Sequence, residues 1–275
     1  ARSARAEAMV PVVCIDGCAA LGLIYRAPAT EPEVVVHSAA RLVPRLAAVA
    51  GGLSGNGQPC PPGSHAVTGG SAGLGLLTAR WLAQRGAAGL GLASRSGVLA
   101  RDSKSEWQAL RASGVMTSTE RCDAAEPAHL ARLVAATPSL EGVWHAAGVL
   151  ADCTLPAQGA RTLSCVYAPK VHGAWSLHAA CATTRLHACV FFSSVASLLG
   201  GAGQANYSAA NACLDALAGC RRAHGGASVS VQWGAWAEVG MAARGAASKR
   251  IAAMAAASGF GLIGLAPGLA ALGTA

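Results

Sequence analysis

The sequence predicts an α/β protein built on a doubly wound parallel sheet, and three observations carry that prediction. From His65 onward, short β-rich apolar runs alternate with helical stretches. A glycine-rich turn, Thr68-Gly69-Gly70-Ser71-Ala72-Gly73-Leu74-Gly75, falls between the first such run and the first helical stretch. The 275 residues are 53% hydrophobic and only 12% charged, so the chain has material for a large buried core and is not disordered. Its 34 glycines follow no Gly-X-Y period, which excludes a collagen-like rod. Aromatic residues at 4% predict a core of closely packed Ala, Val and Leu.

Residues 1–47 hold two short β-rich runs, 10–15 and 33–37, closed by Arg41-Leu42-Val43-Pro44-Arg45-Leu46. Residues 51–63 are too rich in Gly and Pro for regular structure and predict a linker. Strands are then expected over 65–67, 89–93, 115–121, 142–145, 186–192 and 228–233. Between them, helices are expected over 74–84, 102–112, 127–136, 167–180 and 207–222. Strands separated by helices of this length argue for crossovers that cover both faces of one sheet.

Composition excludes several function classes. The net charge of +8 is spread singly, with only Arg221-Arg222 and Lys249-Arg250 adjacent, and no aromatics interleave. That predicts attraction for an acidic or phosphorylated ligand and no nucleic acid. The ten cysteines include no Cys-x-x-Cys pair and no finger spacing, so neither a metal site nor a disulfide framework is expected. They read as reduced core thiols of an intracellular, cytoplasmic protein, with an organelle left open. Glu7 and Asp16 interrupt the first apolar run, and the opening Ala suits an excised fragment. The uncharged tail 251–275 is Ala/Gly-rich with Pro267 inside, so neither end is expected to span a membrane.

The glycine turn carries the first chemistry. Glycines there admit positive φ, let backbone amides approach a pyrophosphate, and open a helix whose N-terminus favours anions. At the end of the next strand a carboxylate would select NAD by binding the ribose hydroxyls. This chain has Ser94-Arg95-Ser96-Gly97 instead, and a guanidinium binds a 2′-phosphate bidentately, so NADPH is the expected cofactor. Cys122 and Asp123, after the third strand, are candidates for the adenine side. A tight turn without ligand is the bland alternative for the glycines, as a solvated side chain is for Arg95.

Ser194, at a strand end, and Tyr207, at the opening of a helix, are separated by a span that lets two hydroxyls meet one carbonyl oxygen. A short-chain dehydrogenase also carries a Lys one helical turn after the Tyr, lowering the phenol's ordinary pKa of about 10. Here that position is Asn211, and only three lysines exist, Lys104, Lys170 and Lys249. Lys170 lies in Pro169-Lys170-Val171-His172-Gly173, on the helix after the fourth strand. With Ala146-Ala147-Gly148 after that strand and Trp233-Gly234-Ala235-Trp236 near the end, the sequence resembles the ketoreductase domain of polyketide synthases. In that family Lys and Asn have exchanged places relative to ordinary short-chain dehydrogenases.

The resemblance implies a Rossmann-like fold, with residues 64–275 the NADPH-binding catalytic domain. Residues 1–63 are then a remnant of the family's truncated, cofactor-free subdomain plus the linker. It implies that Tyr207 donates the proton, Ser194 holds the ketone oxygen, Lys170 supports Tyr207 and the ribose, and Asn211 completes the tetrad. The implied reaction reduces a β-ketoacyl thioester on the phosphopantetheine arm of an acyl carrier protein, beside other synthase domains in one polypeptide. Asp152 in Leu150-Ala151-Asp152, Leu199 where the other stereochemical group has Trp, Asn206 and Met241 imply a B-type enzyme and the D-alcohol. Ala151 and Ala202 depart from that group's usual Asp and Pro. Two alternatives stay open: the reductase of a fatty-acid or polyunsaturated-lipid megasynthase, and an inactive cofactor-binding scaffold.

Overall fold

The structure is a computed structural model and describes residues 2–8, 14–16, 33–37, 40–43, 60, 62–100, 103–240 and 261–273. Nine strands are described. Three form a small sheet, β1 (Cys14–Asp16), β2 (Glu33–His37) and β3 (Ala40–Leu42), with β2 parallel to β1 and antiparallel to β3. The other six are β4 (Ser64–Thr68), β5 (Gly89–Ser94), β6 (Met116–Arg121), β7 (Leu140–His145), β8 (Ala188–Ser194) and β9 (Val229–Trp233). They form one sheet in the order β6-β5-β4-β7-β8-β9, every neighbouring pair parallel. The chain therefore winds outward from β4 to one edge, then returns to β7 and winds to the other. This is the doubly wound α/β fold that the sequence predicts, and its order reverses between β4 and β7.

The helices are α1 (Arg2–Ala8), α2 (Gly73–Gln84), α3 (Lys104–Ala112), α4 (Pro127–Ala135), α5 (Ala160–Tyr167), α6 (Gly173–Ala180), α7 (Ala196–Leu199), α8 (Ala205–Ala223) and α9 (Leu265–Leu272). Successive strand residues point to opposite faces, so each strand feeds two cores. Val67, Trp144, Val190 and Phe192 pack with Leu76, Leu77 and Leu82 of α2. Ala66, Val143 and Phe191 pack with Leu130 and Leu133 of α4, Leu177 of α6, and Leu214 and Leu217 of α8. Both faces of the central strands are covered, so β4, β5, β7 and β8 are buried along nearly their whole length, whereas the edge strand β6, Met116-Thr117-Ser118-Thr119-Glu120-Arg121, is polar and largely exposed.

Four differences from the sequence expectations have physical causes. The first core is not purely aliphatic: Trp81, Trp144, Trp233 and Trp236 are buried in it, four of the six tryptophans, with Trp81–Trp144 and Trp233–Trp236 edge to face. Few aromatics overall said nothing about where they sit. The stretch expected as one helix over 167–180 begins earlier, at Ala160, and widens into a π-helical turn, Ala168–His172. Pro169 inside that turn has no N–H to give and crowds the preceding turn. Cys60, Cys122, Cys181 and Cys189 are buried thiols, but Cys165 and Cys220 are exposed, contrary to a uniform set of core cysteines. Lastly, α1, β3, α7 and α9 were not expected as regular elements. Most of the expected linker lies outside the described residues, yet Cys60 near its end is buried and donates its N–H to the Arg85 carbonyl at 3.1 Å.

Candidate active site

The order reversal opens a cleft of about 390 Å³ at the carboxyl ends of the strands. β4 ends in Thr68, and the chain turns through Gly69 at φ +71° into α2. A Cβ on Gly69 would lie 2.9 Å from the Ala146 carbonyl oxygen, and one on Gly75 would lie 2.3 Å from the Gly69 oxygen. Only glycine allows the strand, the turn and the first helical turn to nest this closely. Ala72 gives α2 no side-chain cap, so its first-turn N–H groups face the cleft mouth without an internal acceptor. A backbone cradle beneath a helix N-terminus suits a pyrophosphate.

Of the residues expected to hold a cofactor, Thr68, Gly69, Ser71, Ala72, Gly73, Leu74 and Gly75 line this cleft. Ser94, Arg95, Ser96, Cys122, Asp123, Ala146, Ala147 and Gly148 line it too. Gly70 does not: it packs against Leu92 and donates its N–H to the Ala93 carbonyl at 3.1 Å. Arg95 is exposed at the rim, within a turn in which Ser94 Oγ accepts the Gly97 N–H at 3.2 Å. Asp123 Oδ1 accepts the Ala125 N–H at 3.0 Å, which fixes that carboxylate at the cleft wall. Ala93, Ala124, Val149, Pro169 and Gly240 complete the lining and were not expected.

Beyond Gly148 the polar cluster begins. A Cβ on Gly148 would sit 3.0 Å from Lys170 Cε, so the missing side chain is what lets the lysine lie against the cleft loop. The π turn aims Lys170 inward, where it is 3% exposed. Its Nζ donates to Asn211 Oδ1 at 2.8 Å and to the Phe192 carbonyl at 2.9 Å, and lies 5.2 Å from the centre of the Tyr207 ring. Asn211 Nδ2 donates to the Tyr207 carbonyl at 2.8 Å, within α8. Ser194 is the last residue of β8, and its hydroxyl acts on the Tyr207 phenol, favouring the ionised form. Lys170, Ser194, Tyr207 and Asn211, dispersed along the sequence, are thus brought into one cluster.

Burial sets the electrostatics. Taking the ammonium out of water lowers the Lys170 pKa from 10.5 to about 7, and the Asp215 charge partly offsets this. Burial raises the Tyr207 phenol, while side-chain hydrogen bonds from Asn211 and Ser194 oppose the rise. His145 is held neutral, its pKa pushed down to about 4 mainly by burial. It spans Thr68 Oγ1 at 2.8 Å and the Lys170 carbonyl at 2.9 Å, tying the glycine turn to the π turn.

The expected stereocontrol residues separate. Asp152 lies on the loop over the cluster, where Gln204 Nε2 approaches its Oδ2 at 3.5 Å and its charge acts on Tyr207. Leu199 ends α7, 42% exposed. Asn206 is 1% exposed: its Nδ2 donates to the Ala151 and Thr162 carbonyls at 2.8 and 3.3 Å, and its Oδ1 accepts the Tyr207 N–H at 2.7 Å. Met241 lies outside the described residues. Among the described residues no group of three metal-ligating side chains is gathered, and no helix is long and apolar enough to cross a membrane.

Sequence reasoning missed Asp215. Its Oδ2 receives Ser197 Oγ at 2.7 Å and Gln232 Nε2 at 2.8 Å, and its Oδ1 receives Ser230 Oγ at 2.6 Å. The available signal was a carboxylate one helical turn past Asn211, on the face of α8 that carries Tyr207 and Leu214.

Sheet order, glycine turn and cluster together define the short-chain dehydrogenase/reductase architecture. The chain belongs to the KR domain family, which it matches over residues 63–238. It is 41% identical over 214 residues to polyketide synthase GfsA of Streptomyces halstedii, covering 76% of this chain and 3% of that one. A mycocerosic acid synthase-like polyketide synthase of Mycolicibacterium smegmatis is 42% identical over 187 residues, 65% of this chain and 9% of that one. The chain thus spans only a small fraction of the curated relatives it matches. Among solved structures, an A-type ketoreductase from a modular polyketide synthase superposes with a TM-score of 0.80 at 38% identity, over 88% of this chain and 51% of that one. A C2-type ketoreductase from a modular polyketide synthase gives 0.81 at 28% identity, over 99% and 60%.

Proposed function

We propose that the chain is an NADPH-dependent β-ketoacyl thioester reductase acting as one domain of a polyketide synthase. Residues 64–275 are its catalytic domain and residues 1–63 a remnant of the structural subdomain with its linker. The substrate is carried on the phosphopantetheine arm of an acyl carrier protein. The observation that carries this reading is the Lys170–Asn211 hydrogen bond at 2.8 Å, with the ammonium against the Tyr207 ring. It puts a cation beside the phenol despite the absence of Lys from the usual position.

When bound, the reduced nicotinamide supplies the hydride that adds to the β-carbon. The backbone of Gly69 and of Ser71 to Gly75 would hold the pyrophosphate and Arg95 the 2′-phosphate. Lys170 has a third N–H beyond the two already donated, and a ribose hydroxyl is its natural acceptor. Ser194 donates a hydrogen bond to the ketone oxygen, stabilising negative charge as it develops. Tyr207 transfers its phenolic proton to that oxygen, and the neighbouring ammonium stabilises the phenolate left behind. Asn211 fixes Lys170 in the orientation this requires.

For stereochemistry we infer B-type behaviour and the D-β-hydroxy thioester, the (3R) product of a simple acyl chain. Asp152 over the cluster and Leu199 in place of Trp support it, although the solved relatives described above are A-type and C2-type. The test mixes the protein with NADPH and a short β-ketoacyl thioester, follows nicotinamide absorbance, and resolves the alcohol by chiral chromatography. Consumption of NADPH with D product is expected. No consumption overturns the reductase assignment, and predominantly L product overturns the B-type assignment alone.

A further inference from the structure

Asp215 is a partly buried carboxylate that the reaction above does not use. Three neutral donors converge on it, from Ser197 on α7 and from Ser230 and Gln232 on β9. Three neutral donors satisfy the carboxylate oxygens without bringing an opposite charge to them. Two features connect that charge to the cluster. First, Ser197 Oγ lies 2.7 Å from Asp215 Oδ2 and 2.9 Å from the Ser194 carbonyl oxygen, in the turn whose Val195 N–H also donates to the Trp233 carbonyl at 2.9 Å. The carboxylate therefore pins the turn leaving Ser194 to the helix that carries Tyr207 and Asn211. Second, Asp215 is one helical turn beyond Asn211, the side chain to which Lys170 donates.

We propose that Asp215 is a positioning residue of this site, holding the Ser194 turn in place and supplying the negative charge against which the buried Lys170 ammonium is set. The proposal deepens the reading of the four clustered residues and rests on it.

The titratable and charged groups around Lys170 leave Asp215 in that role. From β7, His145 is neutral near pH 7, since its pKa is pushed down to about 4. From α5, Tyr167 has its phenol raised by burial, and from α8 burial raises Tyr207 and Cys213. Near neutral pH these are uncharged. Asp152 acts on Tyr207, His172 shares the π turn, and Asp215 is the group that favours the charged form of Lys170.

The chain has only three lysines, so carbon-13 labelling at their Cε atoms gives an NMR spectrum of three signals, with Lys170 identified by its loss in Lys170→Met. Asp215→Asn is expected to lower the Lys170 titration midpoint by about half a pH unit or more, and to move the alkaline fall of kcat equally, about a threefold loss at fixed pH. Ser197→Ala cuts the tie to the Ser194 turn and keeps the charge, so it should lower kcat severalfold with the midpoint unmoved. If Asp215→Asn does not fold, Gln232→Lys neutralises the carboxylate in place and must lower the midpoint as well. An unmoved midpoint in the charge variants, or unchanged kcat in Ser197→Ala, overturns the proposal. If the wild-type protein reduces no β-ketoacyl thioester, the assigned reaction has failed, and the midpoint still decides whether Asp215 charges Lys170.

Discussion

Arg95 and Lys170 bring opposite kinds of cation to the site. Arg95 is exposed at the cleft rim and free of desolvation cost, suited to meeting a phosphate that arrives with its ligand. Arg95→Ala is expected to weaken NADPH by about 1.5–3 kcal/mol, ten- to hundredfold, with NADH little changed. Equal weakening of both cofactors in a fluorescence titration would remove the residue from that role. Lys170 is buried, so desolvation works against its charge and the Asp215 carboxylate offsets only part of that. Lys170→Met should reduce kcat about 10²-fold or more while circular dichroism stays unchanged, and Tyr207→Phe should abolish turnover but retain NADPH binding. Near wild-type kcat in Lys170→Met would refute the exchanged-position assignment. The spacing of Ser194 and Tyr207 was legible in the sequence because the end of β8 and the start of α8 are joined by one local connection, which holds only the short α7. Asp215 was not, since its partners Ser197, Ser230 and Gln232 come from three places along the chain.

At the scale of elements, the first βα turn and the π turn do the positioning. Gly75 sits where a methyl group would come 2.3 Å from a backbone oxygen, so α2 can be displaced only by breaking the cradle. Gly75→Ala is expected to cost about 1–3 kcal/mol of stability and to remove measurable cofactor binding, read by thermal melting and by NADPH fluorescence. A variant with wild-type affinity would show that the close approach is not needed. The π turn turns Lys170 inward and was not legible beforehand. Helical periodicity around Pro169 predicts a helix, whereas the extra residue per turn is a response to what the turn packs against. Helix ends elsewhere fell within a few residues of expectation, because Pro127 and the glycines mark them locally.

For the whole molecule, buried ionisable groups give a definite pH dependence of stability. His145 falls from 6.5 to about 4 on folding, so the unfolded chain holds the extra proton in that window and stability drops as pH falls through it. Lys170 falls from 10.5 to about 7, so its penalty is complete below 7 and fades as pH rises toward 10.5. Cys60 and Cys181 rise from 9.0 to about 11, so above 9.0 they act the other way, the unfolded thiols ionising first. The melting temperature is therefore expected to climb from pH 4 to near 9 and then fall, as scanning calorimetry would record. A flat or falling curve between 7 and 9.0 would mean that Lys170 is not buried as a reluctant cation. Activity should move oppositely over that range, since reduction needs the charge that stability penalises.

By itself the sequence determined the alternation of strands and helices, the glycine turn between β4 and α2, and the positions of Arg95, Ser194 and Tyr207. Each is a local matter: hydrophobic period, backbone sterics, or spacing across one strand–loop–helix connection. Tertiary structure alone decided that β4 and β7 lie side by side at the order reversal, so that Thr68, Arg95 and Gly148 line one cleft. It also decided that Lys170 meets Asn211, and that Asp215 gathers donors from α7 and β9. Those contacts join residues far apart in the chain, and only close packing of α5, α8 and the π turn against β8 excludes water from them. That exclusion makes a lysine, a tyrosine and an aspartate act on one another rather than on solvent.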